Sequence, residues 1–457
     1  MQSIAMLSQL HQYHPVIELE TVAHLLKSEY GDEQERAQLG QLGLQIVNRY
    51  DGYECPYKAL FEAAVSDSKA TISHAAGLHY SSANDESHTN DTDNEHRDDN
   101  VMKHLLSGKY LEALALLDAN SKMDKSPFKH MEQFAKIMIF SRNYENVQEL
   151  ELRLQYSLSD DRIDQISKDQ QSSQNLSDEK ESICRIKLYI CTSYFIEGRY
   201  FECSSKFYKF YIEDPKTMMK ILTSKVDGDA LLLLPELKTM IAASTLVSIP
   251  MNSYDELISI DELTELFDTV DILSRSLKLL INTSFKCFLA LWNNEFQKTL
   301  SRCYLLNKSW ETAERLMKMK IYCFYLKLSK TLTISYLSEK LGIEYDEVKE
   351  SVERLICSAN LYFHLDGDVI SYSKRSIVDS TVRTLDENCR HINELLDKQR
   401  VRNDKLKEMI SGNLLEEEQT IRKSDTAKTS NNQEIMDIDD VQFLSDDLEQ
   451  VDSCISD

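Results

Sequence analysis

Residues 337–356 read LSEKLGIEYDEVKESVERLI: an amphipathic turn of helix, a Gly342-Ile343 break, then a second amphipathic helix. That cadence is a helix-turn-helix, and the flanking sequence extends it. LTISYLSEKLGI puts Ile334, Leu337 and Leu341 on one face of a short helix that Gly342 stops. Beyond the break, Val348, Val352, Leu355 and Ile356 form an i, i+4, i+7, i+8 stripe. Burying these four is worth roughly 1.5–3 kcal/mol each, before the entropy of ordering them is set against it. LYFHLDGDVISY then alternates apolar residues on either side of Asp366-Gly367, a hairpin signal. Helix, turn, helix and two-stranded wing make a winged helix. Its expected edge strands, 361–365 and 369–372, carry Leu361, Tyr362, Phe363, His364, Val369, Ile370 and Tyr372.

A winged helix raises the question of nucleic acid. DNA-binding examples bring the start of the second helix to the base edges and hold phosphates with Lys and Arg. Here that end carries Glu344, Asp346 and Glu347, which suit the positive end of a helix dipole and repel a groove. Between Leu332 and Tyr372 there are eight acidic residues and three basic ones, Lys340, Lys349 and Arg354. The whole chain carries a formal charge of −24 over 457 residues. Such a surface disfavours nucleic acid and anionic membranes as partners and favours other proteins. A strand edge left open in the wing could accept a strand from another chain, unless a helix of the same chain covers it.

Only 11 glycines and 6 prolines interrupt the chain, too few turns for a β-rich fold, and the apolar periodicity is helical. In 17–50, Ile17, Val22, Leu25, Leu26, Leu39, Leu42, Ile46 and Val47 recur at that spacing. LLSGKYLEALALL, IFSRNYENVQELEL, YFIEGRYFECSSKFY and LALWNNEFQKTLSRC each place an aromatic (Tyr110, Tyr144, Tyr200, Phe296) after a short polar break, opening a second helix. Helical hairpins of a tetratricopeptide-like (TPR-like) solenoid pack in this way, and the first two copies lie about 34 residues apart. The alternative is an irregular helical bundle. A strongly apolar helix, SWETAERLMKMKIYCFYLKL (309–328), leads into the wing with Leu316, Met319, Ile321, Phe324 and Leu328.

The fold class is therefore mainly all-α: a TPR-like solenoid, then a winged-helix subdomain with a small β wing, then a long C-terminal helix. The expected division is an N-terminal helical segment (1–65), a disordered acidic insert (66–100), helical repeats (101–308), the winged helix (309–375), a C-terminal helix (376–412) and a disordered acidic tail (413–457). A polar stretch at 159–182 reads as a link between helices. In the C-terminal helix Val378, Leu385, Ile392, Gln399 and Leu406 recur every seven, flanked by Val382, Cys389, Leu396 and Ile410. That seam reads as a helix zipping against partner helices, the alternative being one folded back on its own domain. The tail mixes Ile438, Val441, Phe443, Leu444 and Leu448 with acids, and Ser445 and Ser453 stand in acidic surroundings open to phosphorylation.

Chemistry-bearing motifs are missing where an enzyme would need them. There is no His-x-His, no P-loop and no Gly-x-Gly-x-x-Gly, so no metal or nucleotide cofactor is expected. His11 and His14 with Cys55 form too loose a set for a metal. The ten cysteines contain no Cys-x-x-Cys and read as reduced core thiols; Cys203 and Cys323 fall on apolar faces. The N-terminus has no basic n-region or long apolar run, and the run at 230–234 ends at Pro235, so no span of a bilayer is expected.

Helical repeats running into a winged helix through LMKMKIYCFYLKLSKTLTISYLSEKLGIEYDEV resemble the PCI domain of the proteasome lid, the COP9 signalosome and translation initiation factor 3. LLLLPELKTMIAASTLVSI and LKLLINTSFKCFLALWNNEF look most like the signalosome subunit 1 group and its proteasome-lid counterpart, in the divergent form found in budding-yeast signalosomes. The resemblance covers about residues 185–410. It implies a non-catalytic scaffold whose winged helix joins others side by side in an arc, here through 347–372. Its C-terminal helix would enter a bundle through Val378, Leu385, Ile392, Leu396, Leu406 and Ile410. The implied partners are other PCI-domain subunits and a metalloprotease subunit that removes Nedd8 from cullins, with cullin-type ligases reached indirectly, in cytoplasm and nucleus. The alternatives within the resemblance are a proteasome-lid subunit and a subunit associated with translation initiation factor 3.

Overall fold

The computed structural model describes residues 9–50, 55–69, 100–121, 127–159, 173–224, 228–372 and 377–424. The chain divides into two units, 1–373 and 374–457, and each is described by itself. Most of the expected insert (70–99), part of the polar stretch (160–172), and the tail from 425, with Ser445 and Ser453, lie outside the described residues.

The first unit opens with α1 (Pro15–Lys27), α2 (Glu33–Arg49) and α3 (Lys58–Lys69). Pro15 starts α1 because a first-turn residue needs no N–H, and Asp32 with Glu35 closes a capping box on α2. All eight apolar residues expected to face inward in 17–50 are buried. Glycine permits the α2–α3 contact: a Cβ on Gly43 would lie 2.8 Å from the Phe61 ring. The helix α3 runs to Lys69, past the point where the insert was expected to begin.

A helical turn over 100–106 is followed by α4 (Tyr110–Ser121), α5 (Pro127–Phe140), α6 (Tyr144–Ser159), α7 (Ser173–Ile196), α8 (Tyr200–Glu213), α9 (Pro215–Thr223) and α10 (Leu234–Ser248). From Ser173 the stretch expected to link helices is itself helix. Three turns share one construction. Gly108, Arg142 and Gly198 take positive φ (73°, 60° and 77°), and the next residue donates its N–H five residues back: Lys109 to His104, Asn143 to Met138, Arg199 to Tyr194. This Schellman arrangement satisfies the carbonyls left over at a helix end. The aromatic that follows, Tyr110, Tyr144 or Tyr200, opens the next helix.

The fourth copy differs from expectation. After the short helices α11 (Tyr254–Ile258) and α12 (Thr264–Thr269) and the longer α13 (Asp271–Ile281), the turn comes at Thr283 (φ 54°), with Ser284 bonding back to Leu279, and Phe285 opens α14 (Phe285–Leu291). Asn293-Asn294 is no break. A π-helical turn, Trp292–Phe296, carries the helix on into α15 (Gln297–Leu300). The turn brings both aromatics inward: Trp292 stacks on Phe296 at 4.5 Å and lies 4.9 Å from Trp310.

The helix α16 (Asn307–Leu328) joins repeats to wing. Its buried positions are Trp310, Ala313, Met317, Ile321, Tyr322 and Leu326, whereas Leu316 and Leu328 are exposed. Lys320 on this helix reaches across to α10 and donates to the carbonyls of Leu246 (2.6 Å), Val247 (3.2 Å) and Ile249 and to the Tyr254 hydroxyl (2.9 Å). It caps this helix end together with the Tyr254 hydroxyl, which donates to the Leu246 carbonyl at 2.7 Å.

The winged helix comprises β1 (Thr331–Thr333), α17 (Ile334–Leu341), α18 (Tyr345–Ser358), β2 (Phe363–Asp366) and β3 (Val369–Tyr372). Gly342, at φ 68°, ends α17, and Ile334, Leu337, Leu341, Val348, Val352 and Leu355 are buried, with Ile356 half-buried. The sheet has three strands, not two, in the order β1-β3-β2, all antiparallel. The second unit is described only through α19 (Ile377–Ser424), which continues past the expected end at 412. Among the described residues no helix is long and apolar enough to cross a membrane.

Candidate functional site

The third strand changes which edges are open. The expected edge strand 369–372 is the middle of the sheet, paired through Leu332↔Ile370 on one side and His364↔Ser371 on the other. The open edges are β1 and β2. Bonds from Tyr372 N–H to Lys330 O (2.7 Å) and from Ile334 N–H to Asp368 O (2.9 Å) fix the alternation on β1, so Thr331 turns its N–H and C=O away from β3. By the same alternation Phe363 and Leu365 of β2 face outward along the backbone. The two edges are chemically different.

Along β1 runs a groove lined by Tyr325, Leu328, Leu332, Tyr336 and Val369, with a volume of about 550 Å³. Leu328 is 68% exposed, and Lys327 and Lys330 flank it. Along β2, Phe363 and Tyr372 meet edge to face at 5.5 Å across the strand pair. Of the residues singled out in the sequence, Tyr362, His364, Val369 and Tyr372 are exposed and Leu361 and Phe363 half-buried. Ile370 is fully buried, because its place in the central strand turns it into the core, so it cannot meet a partner.

The start of α18 is acidic, as the sequence indicates, and two cations near it are engaged with carboxylates. Lys318 bridges Glu314 (2.9 Å) and Glu347 (2.7 Å), and Arg354 pairs with Glu350. Asp368 accepts bonds from the Ser335 hydroxyl and N–H, and the hydroxyl bond first holds its carboxyl below the usual range.

On α19, taken alone, Leu385, Ile392, Leu396 and Leu406 are each more than half exposed, with Val382, Leu395 and Val401 exposed beside them. Val378 and Ile410 lie in the helix, but their side chains are outside the described residues. An exposed apolar series of this length is the kind of surface that another helix covers.

The loose histidine set does not converge. His11 pairs with Glu18 at 2.9 Å, while His14 is buried against Phe140, where burial first and Lys136 second push its pKa down to about 3. Cys203 is packed, and burial pushes its thiol up to about 12. Not every thiol is a core thiol, since Cys287, Cys357 and Cys389 are exposed.

Residues 9–314 match the model of the CSN11 N-terminal domain and residues 331–452 that of the CSN11 C-terminal domain. The chain is 31% identical over 94% of its length, and 95% of the relative's, to COP9 signalosome complex subunit 11 of Saccharomyces cerevisiae. The chain belongs to the COP9 signalosome subunit 11 family. Similar proteins of the same description are found in Kluyveromyces lactis (28% identity, 60% of this chain and 67% of the relative) and Eremothecium gossypii (28%, 70% and 73%). Within the signalosome resemblance the member is thus the subunit 11 family, where the apolar pattern suggested the subunit 1 group. The family is one of non-catalytic, PCI-type subunits, which agrees with the reading of this chain as a scaffold rather than an enzyme.

Proposed function

We propose that this chain is a scaffold subunit of a COP9 signalosome-type complex that removes Nedd8 from cullins, and that it docks at three places. One neighbouring PCI-domain subunit extends the sheet at β1, another at β2, and partner helices cover the seam of α19. The observation that carries this reading is the central position of β3 in a family of complex subunits. It leaves two unlike open edges on one small sheet. Two unlike edges allow a different neighbour to pair at each side of the sheet, a heterologous joining that can build an arc. Each apolar seam residue covered by a partner contributes roughly 1.5–3 kcal/mol before ordering costs. Nedd8 cleavage belongs to the metalloprotease subunit, and cullin ligases are reached through the complex; both cytoplasm and nucleus are the proposed location.

The test is purification of the tagged full chain with quantitative mass spectrometry, followed by cullin blots in a deletion strain. Co-purification of PCI subunits and the metalloprotease, with accumulation of Nedd8-cullin on deletion, is the expected result. Recovery of proteasome-lid or initiation-factor subunits instead, with unchanged Nedd8-cullin, would overturn it.

A further inference from the structure

A second surface lies away from the wing, where the N-terminal segment meets the repeats. Tyr13 and Ala230 form an isolated parallel bridge, and the chain then runs through Leu231-Leu232-Leu233 before Leu234 and Pro235 open α10. Three successive leucines in a connecting segment, with a fourth opening the helix, are unusual, because connections run over the surface and are normally polar. Leu231 is buried, but Leu232, Leu233 and Leu234 remain half-exposed. They border a cavity of about 260 Å³ whose floor includes Leu188, Ile221 and Leu237. This is more than a packing defect, since voids larger than a water molecule are few in a well-packed domain. It is also smaller than the roughly 300–1,000 Å³ of pockets that take cofactors and drug-sized ligands. Its size suits one or two large apolar side chains.

One wall of the cavity is charged. Glu132, itself buried, takes Arg185 Nε at 2.9 Å and lies 3.6 Å from the buried Lys136, which also binds Asp229 at 2.5 Å. The two cations are therefore neutralised from within. Asp229 is nearly half exposed at the rim, with its bond to Lys136 made through Oδ2 alone. A rim carboxylate on a chain of net charge −24 attracts a basic partner and repels an acidic one.

We propose that this cavity is an anchor site for a short segment of a partner protein that inserts an adjacent pair of apolar side chains and carries Arg or Lys beside them. The apolar pair fills the space among Leu188, Ile221 and Leu237, Leu232 covers it, and the basic residue meets Asp229.

Two labelled synthetic peptides test this on the full chain by fluorescence anisotropy, one with an Arg-Leu-Phe-Arg core and one with a Glu-Leu-Phe-Glu core. The basic peptide should bind saturably and about tenfold more tightly than the acidic one. Leu232→Asp, which charges the lip, and Leu188→Phe, which fills the floor without adding polarity, should each weaken it by at least about fivefold. Leu152→Asp, on an exposed α6 position outside the cavity, should leave it unchanged. Circular dichroism melts establish that each variant is folded, and Leu188→Phe carries the decision if Leu232→Asp is not. Absence of saturable binding, equal affinity for the acidic peptide, or binding that survives the folded variants would each overturn the proposal.

Discussion

At the scale of single residues, burial sets the titration of groups that hold the first unit together. Glu236 is buried on α10, taking the Leu233 N–H at 2.8 Å and the Tyr13 hydroxyl, and burial raises its carboxyl to about 7 from an ordinary 4.5. The folded chain therefore holds a proton there that the unfolded chain releases between those values. This contribution to stability is fully present below about pH 4.5 and is lost as the pH rises through 7. Comparing urea midpoints of the wild type and Glu236→Gln from pH 4.5 to 7.5 should show a stability difference that shifts by at most about 3 kcal/mol in favour of the variant at the upper end. A difference independent of pH contradicts the assignment. Lys320 is the second such residue: Lys320→Met leaves the Val247 and Ile249 carbonyls without their side-chain donor, Tyr254 still serving Leu246, and should cost about 2 kcal/mol in urea unfolding. A change under about 0.5 kcal/mol would show that the cap is dispensable.

Elements were legible in the sequence wherever one periodicity dominated. The winged-helix faces could be read because Ile334, Leu337, Leu341, Val348, Val352 and Leu355 alternate with polar residues, and all six are buried. The aromatic turns could be read where a Gly or a charged residue stood at the positive-φ position. At Thr283 the same turn was hidden, because a β-branched residue there is disfavoured and gives no turn signal. Thr283→Gly should accordingly stabilise the fold by about 1 kcal/mol, since it relieves that strain at an exposed site. A lower denaturation midpoint would show that the side chain contributes something the turn geometry does not explain. The face of α16 was harder to assign because apolar residues occur nearly all round it. The strand β1 was missed because three residues, Thr-Leu-Thr, carry too little alternation, and with it went the correct position of Ile370 and the identity of the open edges. Thr331→Pro tests those edges. Its N–H faces away from β3, so the substitution should change stability by less than about 1 kcal/mol yet weaken capture of a neighbouring subunit in pull-downs. Unchanged capture would exclude β1 as a docking edge.

At the scale of the whole molecule, negative charge and exposed apolar seams act together. Repulsion from phosphate disfavours nucleic-acid partners, and in the proposed function the open edges and the α19 heptads are where neighbouring subunits bind. Leu385, Ile392 and Leu406 are exposed on α19 taken alone, so charging them should cost that helix little and, in the proposed function, should weaken the assembly. The most direct measurement purifies the tagged chain from cells carrying either the wild type or the Leu385→Asp, Ile392→Asp, Leu406→Asp triple variant and determines the native mass and subunit content of each. The wild type should emerge in a stoichiometric complex with other PCI subunits, and the variant as a folded chain stripped of most of them. A wild-type chain that purifies alone, or a variant that keeps the full complement, would contradict the account.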